Sequence, residues 1–360
     1  MRTFGIGHDH GNSRTTDIVY LNGSEQMRTF VSASADGSLK QLARIRRAEG
    51  NDTYAVDYQS LRTGEYVLAL DGTERFIGNL ALTQGQGAST GRGDIHRYWS
   101  RRSLETLLTS AADMVPDTEF ELLVVTGLPV ETFNEDTRKK VKHALNGSYH
   151  FTLNGRDRFA YVKVGKVLME GAGASLLHDI EDTDDIHGFI DIGGRTTDLY
   201  VRQGLQAVAR QCKGLDLGVE NAADKISAWF EDKYGFALSL PNRTRIINAY
   251  ASGASYPTIK AEGVPVAEIE LARWAKRAFT DVGKEIAEFV SKIWRTGETG
   301  KVAADFASVE VVGGGAYYYL DAIRTLINRA SMPLEPEHAN ARGYGWFADQ
   351  LVQQRAVAAS

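Results

Sequence analysis

The chain has 360 residues, 43% hydrophobic and 24% charged, with a net charge of -5; that length exceeds the reach of one hydrophobic core, and that composition is far from the disordered class. Two domains, or one large α/β domain, are expected. The mild acidity excludes the basic footprint of a direct nucleic-acid binder, no apolar run approaches the ~18 residues of a membrane span, and a lone Cys212 builds neither a disulfide nor a cysteine metal site.

The opening, MRTFGIGHDHGN, has no secretory hydrophobic region, so a cytoplasmic location is expected. Thr3 to Gly7 reads as a strand, followed by a turn rich in Gly, Asp and Asn and a second strand, Ile18 to Leu21, which together make a β-hairpin. From about 24 to 93 the text breaks into short pieces, Tyr66 to Leu70 and Phe76 to Leu80 among them, as in an inserted subdomain. Thr83 to Gly93, glycine-rich and without a large apolar residue, predicts a mobile loop. A helix over Leu104 to Met114, a buried strand over Phe120 to Thr126 and a helix from about Asn134 to Leu145 predict an α/β layer. After a strand at Tyr161 to Val164 comes a helix start within Met169 to His178, then a second hairpin from Phe189 to Ile192 and Thr197 to Arg202. Helices follow at about Val219 to Lys233 and Val266 to Trp294, the latter with Val282, Ile286, Phe289 and Ile293 on one face. Val309 to Val312 is a last buried strand before three glycines and a terminal helix.

Three glycine-marked stretches carry the chemistry. Asp9-His10-Gly11-Asn12-Ser13 lies between two strands, where a glycine turn offers bare backbone N–H groups to a phosphate and Asp9 adds charge near a Mg²⁺ shell. Asp191-Ile192-Gly193-Gly194-Arg195-Thr196-Thr197-Asp198 repeats the scheme with an acid at a strand end, two glycines and hydroxyls. Two such hairpins would clamp a triphosphate, because magnesium takes few protein carboxylates and completes its shell with water and phosphate oxygens. Val311-Val312-Gly313-Gly314-Gly315-Ala316 ends a buried strand in glycines before a helix, so that backbone lies against a flat nucleoside. Each alone is a common turn; the three in this order define a nucleotide grip.

Several patterns mislead. His8, Asp9 and His10 alternate as metal ligands would, without a further cluster to complete a sphere. Gly87-Ala88-Ser89-Thr90-Gly91 has nucleophile-elbow spacing but lacks the flanking strand and helix. His96-Arg97-Tyr98-Trp99-Arg101-Arg102 mixes cations with aromatics, as a nucleic-acid stacking surface or a partner contact would.

In these stretches the chain resembles the actin, Hsp70 and sugar-kinase superfamily, and within it the bacterial plasmid-segregation actins of the ParM type. Leu168-Met169-Glu170-Gly171-Ala172-Gly173-Ala174 resembles the family's first connecting segment, Ala339-Asn340-Ala341-Arg342-Gly343-Tyr344 its second, and Val125 to Val130 is also typical. The resemblance implies an actin-like (ribonuclease H-like) α/β fold of two domains with an ATP cleft between them. The domains would be residues 1–187, with the insert at about 24–93, and residues 188–335, while 336–360 return to the first as a helix. It further implies that Asp9 and Asp191 hold the Mg²⁺ hydration shell, Glu170 and Asp191 are catalytic, and Glu170 orients the attacking water. Gly11, Asn12, Ser13, Arg14, Gly193, Gly194, Arg195 and Thr196 would line the phosphates, Gly214 and Glu220 the ribose and base, and Gly313, Gly314 and Gly315 the nucleoside. Where many relatives carry a phosphate-binding lysine seven residues after the first acid, this chain has Thr16, with Arg14 as the nearby cation. The implied activity is ATP hydrolysis coupled to assembly of the chain with itself into filaments, linked to DNA through a DNA-binding adaptor. A non-polymerising ATP-dependent switch and a small-molecule kinase on the same fold are the alternatives.

Overall fold

The computed structural model describes residues 1–48, 58–89, 94–178, 184–295 and 300–359. The chain divides into two compact units, residues 1–128, 132–178 and 340–360 in one and residues 129–131 and 179–339 in the other. In the first unit the strands are β1 (Arg2–His10), β2 (Arg14–Leu21), β3 (Ser24–Val31), β4 (Ser34–Asp36), β5 (Tyr66–Leu70), β6 (Thr73–Ile77), β7 (Gln86–Ser89), β8 (Glu119–Leu128), β9 (Gly147–Leu153) and β10 (Arg156–Met169). Its helices begin with α1 (Leu39–Ala48), α2 (Asn79–Gln84), α3 (Arg101–Met114), α4 (Glu135–Leu145) and the short α5 (Ala172–Ser175). The second unit holds β11 (Ile186–Ile192), β12 (Thr197–Gln203), β13 (Gln206–Ala207), β14 (Lys213–Leu215), α6 (Val219–Tyr234), α7 (Leu240–Ser252), β15 (Lys260–Ala261), β16 (Val264–Pro265), α8 (Glu268–Trp294), β17 (Phe306–Val312) and α9 (Ala316–Arg324). The closing helix α10 (Ala339–Ala359) belongs to the first unit from Asn340 onward. The expected α/β class holds.

The first unit is organised by one mixed sheet of order β3-β2-β1-β8-β10-β9-β5-β6-β4-β7. β8, EFELLVVTGL, is buried along nearly its whole length, the pattern of a strand covered on both faces. It lies parallel to β1 on one side and to β10 on the other, so the carboxyl ends of these strands share one edge. The residues read as an insert supply β3 at one margin and β4 to β7 at the other, the latter around a small core of Leu42, Val67, Phe76 and Leu80. In the second unit β11 pairs antiparallel with β12 and parallel with β17, so that Asp191 near the carboxyl end of β11 lies beside Val312 at the carboxyl end of β17. Val282, Ile286 and Val290 of α8 are fully buried in its core, with Phe289 and Ile293 packed against them, as the periodicity required.

Three local expectations change. The glycine-rich stretch read as a loop is ordered through Ser89, because α2 ends at Gln84 and β7 pairs with β4. Gly85 serves close approach there, since a Cβ would lie 2.2 Å from the Ala35 Cβ; Thr90 to Gly93 are outside the described residues. β10 runs on to Met169, so the helix read from that point shrinks to the one turn of α5. The strand read over Phe76 to Leu80 stops at Ile77, where Gly78 takes a φ of 70° and α2 begins.

Helix α10 lies on β1 backbone against backbone. A Cβ on Gly5 would sit 2.4 Å from the Ala348 carbonyl carbon, and one on Gly7 would sit 2.2 Å from the Gly345 amide. The same helix crosses α5 so closely that a Cβ on Gly343 would fall 1.7 Å from the Gly173 carbonyl oxygen. Gly343→Ala therefore forces two backbones apart, and an expected loss of about 3 kcal/mol follows from overpacking. Urea unfolding checks this: a midpoint equal to that of the parent chain would show that the crossing tolerates a methyl group.

Candidate functional site

The first hairpin has two faces with different work. Cross-strand pairing sets His8 opposite Asp17, Asp9 opposite Thr16 and His10 opposite Thr15; since side chains alternate along a strand, His8, His10, Thr15 and Asp17 share one face. That face is buried against α3. The His8 Nδ1 donates to Asp17 Oδ1 at 2.6 Å, its Nε2 lies 3.2 Å from the Ser103 hydroxyl, and Ser110 donates to the other Asp17 oxygen. The His10 Nδ1 lies 3.0 Å from the Thr15 hydroxyl, which meets Ser32 at 2.8 Å. The two imidazoles stack with centroids 5.5 Å apart. Burial, and then the nearby charges of His8, Arg102 and Arg97, push the His10 pKa well below its usual range. Both histidines thus serve as structural posts behind the turn, and among the described residues no cluster of His, Cys, Asp and Glu gathers around them.

The opposite face carries Gly5, Gly7 and Asp9 in series. Because α10 covers positions 5 and 7, Asp9 is the first position on that face with a functional side chain. Thr16, opposite it, is buried and shares a 3.1 Å hydroxyl contact with Thr29; Arg14 is exposed two residues nearer the turn. The turn is pinned from β3's end, where the Ser32 hydroxyl donates to the Gly11 carbonyl and the Ser32 amide to the Ser13 carbonyl. Gly11, Asn12, Ser13 and Arg14 consequently sit in one fixed bend after Asp9.

Glu170 leaves the same sheet edge. Met169 pairs with Leu128 while His8 pairs with Thr126, so Asp9 and Glu170 both follow the carboxyl ends of parallel strands, the usual location of ligands in open α/β sheets. Glu170 donates its amide to the Leu128 carbonyl. Gly171 follows at a φ of 84°, and its amide and that of Ala174 both donate to the Asn340 side-chain oxygen. The carboxylate is held by a residue that sequence reading assigned to a surface. The Tyr98 hydroxyl donates to Glu170 Oε1 at 2.5 Å, and Arg97 Nη2 donates to the Tyr98 oxygen at 2.5 Å. Arg97, Tyr98 and Arg102 are buried, at 4%, 3% and 7% exposure, so these three members of the run face inward, while His96 and Arg101 stay exposed. The overlooked signal was position: Asp94 caps the 3-10 turn Ile95–Trp99, and Ser100 caps α3 immediately after it.

In the second unit three distant segments converge. Asp191 stands opposite Asp198 on β12 and Val312 on β17. Gly193 closes the turn by donating to Thr196 O at 2.8 Å. At Gly313, with a φ of 77°, a Cβ would lie 2.3 Å from Asp191 Oδ1, and Gly315 donates its amide to Ile192 O. From the other side, Val219 and Glu220 donate their amides to the carbonyls of Gly193 and Gly194, and a Cβ on Gly218 would strike that same turn. Arg195 reaches back to Glu220 Oε2 at 2.9 Å and pairs with Asp224. Gly214, on β14, meets Asp198 across the sheet and donates its amide to Glu131 at 3.0 Å. Asp191, Gly193, Gly194, Arg195, Thr196, Glu220, Gly313 and Gly315 thus form one cluster, with Gly214 at its margin. Around Gly314 the nearest side-chain atom to a would-be Cβ is Glu337 Cβ at 4.0 Å. Backbone there is bare enough for a flat group. A few acids beside side-chain-free backbone fit a magnesium nucleotide.

A groove of about 610 Å³ lies elsewhere on the first unit, lined by Asp71, Glu119, His150, Asp157 and Arg158 at the amino ends of β8 and β10. None of the sequence-assigned residues borders it.

Comparison with known proteins agrees with this geometry. The family model described as actin-like proteins, N-terminal domain, matches residues 7–173, and that described as archaeal actin homologue MreB-like, C-terminal, matches 189–325. A search of curated proteins finds no match. Among solved structures, ParM in a 15-stranded filament from Clostridium botulinum is similar at 21% identity and a TM-score of 0.73, covering 97% of this chain and 100% of that one. An archaeal actin homologue in complex with ADP aligns at 20% identity and a TM-score of 0.69, over 96% and 99% of the two chains. Bacillus thuringiensis ParM with ATP aligns at 15% identity and a TM-score of 0.65, over 98% and 100%. The fold is that of the two-domain actin homologues. The chain belongs to the actin-like proteins.

The buried neutral His10 makes stability depend on pH with a definite sign. Its folded pKa is depressed, so the unfolded chain takes up the proton first; the contribution is complete above about pH 6.5 and is lost as pH falls below it. The urea midpoint should decline between pH 7.5 and 5.5, less steeply in His10→Gln. Equal slopes in the two proteins would remove His10 as the source.

Proposed function

We propose that this protein binds and hydrolyses Mg-ATP and that nucleotide state governs its assembly into filaments, which serve segregation of plasmid or other DNA through a DNA-binding adaptor. The observation that carries the reading is the repeated design of the two units, in which parallel strands end in an acid beside side-chain-free backbone at Asp9-Gly11 and Asp191-Gly313. Each hairpin is braced from behind, as a turn that binds phosphate with its backbone requires. The structural relatives with ATP, with ADP and in a filament lend further support.

In this reading Gly11, Asn12, Ser13 and Arg14 line the phosphates from one unit, and Gly193, Gly194, Arg195 and Thr196 line them from the other. Asp9 and Asp191 would hold the hydration shell of a magnesium ion, which would supply charge neutralisation for the phosphates. Glu220 and Gly214 border the ribose, and Gly313 to Gly315 the nucleoside. Glu170 accepts a hydrogen bond from the attacking water and aims it in line. Because phosphoryl transfer passes through a loose transition state, positioning and charge account for most of what the protein supplies. Contacts to the γ-phosphate would favour the assembling state, and their loss after hydrolysis would release it.

Adding Mg-ATP to purified protein should raise light scattering, with filaments in micrographs that persist in a non-hydrolysable analogue. No rise at any protein concentration would favour the switch or the kinase instead. Asp191→Ala should lower Mg-dependent ATP affinity or turnover at least tenfold. Parent-like binding and kinetics in that variant would reduce the second hairpin to a structural turn.

A further inference from the structure

The groups behind Glu170 extend the proposed reading, on which this inference rests. Glutamate at a strand end has three side-chain torsions, and a carboxylate that wanders among rotamers holds water in line only part of the time. Here one of its oxygens is fixed. We propose that Tyr98 is a positioning residue for ATP hydrolysis, locking the Glu170 carboxylate through Oε1 so that Oε2 is presented to the attacking water.

Three observations support the assignment. The Tyr98 hydroxyl donates to Glu170 Oε1 at 2.5 Å, a short contact from a phenol that is only 3% exposed. Its ring is further held in place by the Arg97 guanidinium, which lies over it at 4.1 Å from the centroid. The phenol oxygen also accepts from Arg97 Nη2 at 2.5 Å, and accepting from a cation makes its own O–H a stronger donor, since linked hydrogen bonds polarise one another. Arg97 is in turn tied to the Asp94 carbonyl at 3.2 Å by its other terminal nitrogen. The chain from Asp94 through Arg97 and Tyr98 to Glu170 thus joins the cap of the 3-10 turn to the end of β10. On the other side of Glu170, Asn340 holds the amides of Gly171 and Ala174, so backbone and carboxylate are fixed independently.

Nothing in this arrangement gives Tyr98 a chemical step. Its single proton is committed to Oε1, and proton removal from water falls to the remaining carboxylate oxygen. A merely structural tyrosine would, when replaced, lower stability without separating turnover from nucleotide binding.

The test uses the full chain with Tyr98→Phe, Glu170→Gln and the double variant, followed by phosphate release and ATP binding. Tyr98→Phe keeps the ring beneath Arg97 and removes the oxygen. The expected result is a fall of about tenfold in kcat, or roughly 1.4 kcal/mol, with ATP affinity within about twofold and little further loss when it is added to Glu170→Gln. Crystal structures should show one Glu170 rotamer in the parent and several in Tyr98→Phe. Arg97→Met, a second route should the phenylalanine variant fold poorly, should lower kcat by about threefold through the same link. Parent-like turnover in Tyr98→Phe, with Glu170→Gln slow, overturns the positioning role and leaves Glu170 in place. A loss that multiplies with that of Glu170→Gln also overturns it, since Tyr98 would then act by itself. Parent-like turnover in Glu170→Gln overturns the assignment of Glu170, a different failure seen in a different variant.

Discussion

A Cβ at position 313 would lie 2.3 Å from an oxygen of Asp191 and 2.5 Å from the Ile192 carbonyl, and much of the second unit's site rests on that missing atom. Three segments far apart in sequence approach at distances that any side chain would forbid. Gly313 and Gly315 pack on the end of β11, while Gly218 lies against the Gly193 to Arg195 turn. The turn is therefore shaped by backbone hydrogen bonds, from Gly315, Val219 and Glu220 to Ile192, Gly193 and Gly194, more than by rotamers. A site fixed by backbone has little conformational freedom left to lose when a ligand arrives.

The first unit meets the same requirement with side chains. Behind its turn lies a buried polar network, His8 with Asp17, Ser103 and Ser110, and His10 with Thr15. Such networks stabilise only when their members are satisfied, and the Asp17 carboxylate accepts on both oxygens. The side chains available explain the difference in strategy. β1 gives its other face to α10, with Gly5 and Gly7 stripped to backbone, so the hairpin takes its rigidity from the α3 side. Ser103, Thr106 and Ser110 are accordingly buried hydroxyls in a helix whose remaining inward residues are mostly apolar.

The legible parts of the sequence were those set by local chemistry. β8 announces itself by its apolar stretch Leu122 to Val125, α4 by the Asn134 cap, and the hairpins by an acid followed by glycine. These depend on neighbours within a few residues. What sequence reading missed depends on contacts from afar. The stretch before Thr90 looked too poor in apolar residues to hold a place, yet β7 gains order by pairing with β4, more than fifty residues earlier in the chain. The cationic and aromatic run at 96–102 looked like a surface because arginine and tyrosine usually are one; the buried part of it includes Tyr98, whose hydroxyl donates to Glu170, seventy-two residues on. β9 and α7 escape the sequence reading, although Ser239, Pro241 and Gly253 frame α7 with ordinary start and stop residues.

The same strand geometry bears on Thr16, which stands where the resemblance leads one to expect a lysine. Thr16 and Asp9 are cross-strand partners and share a face, and Arg14 lies on that face two residues nearer the turn, roughly 7 Å further along the strand. Thr16 spends its hydroxyl on Thr29 and, unlike a lysine, brings no charge of its own to that position. Arg14 is exposed at the start of β2, where its guanidinium is the cation of this hairpin nearest the turn. In the second unit the turn likewise carries its own arginine, Arg195, anchored by Glu220 and Asp224. Both proposed phosphate turns thus draw positive charge from an arginine in or beside the bend. A planar fork held at the bend suits bidentate contact with phosphate oxygens better than a point charge rising from the strand.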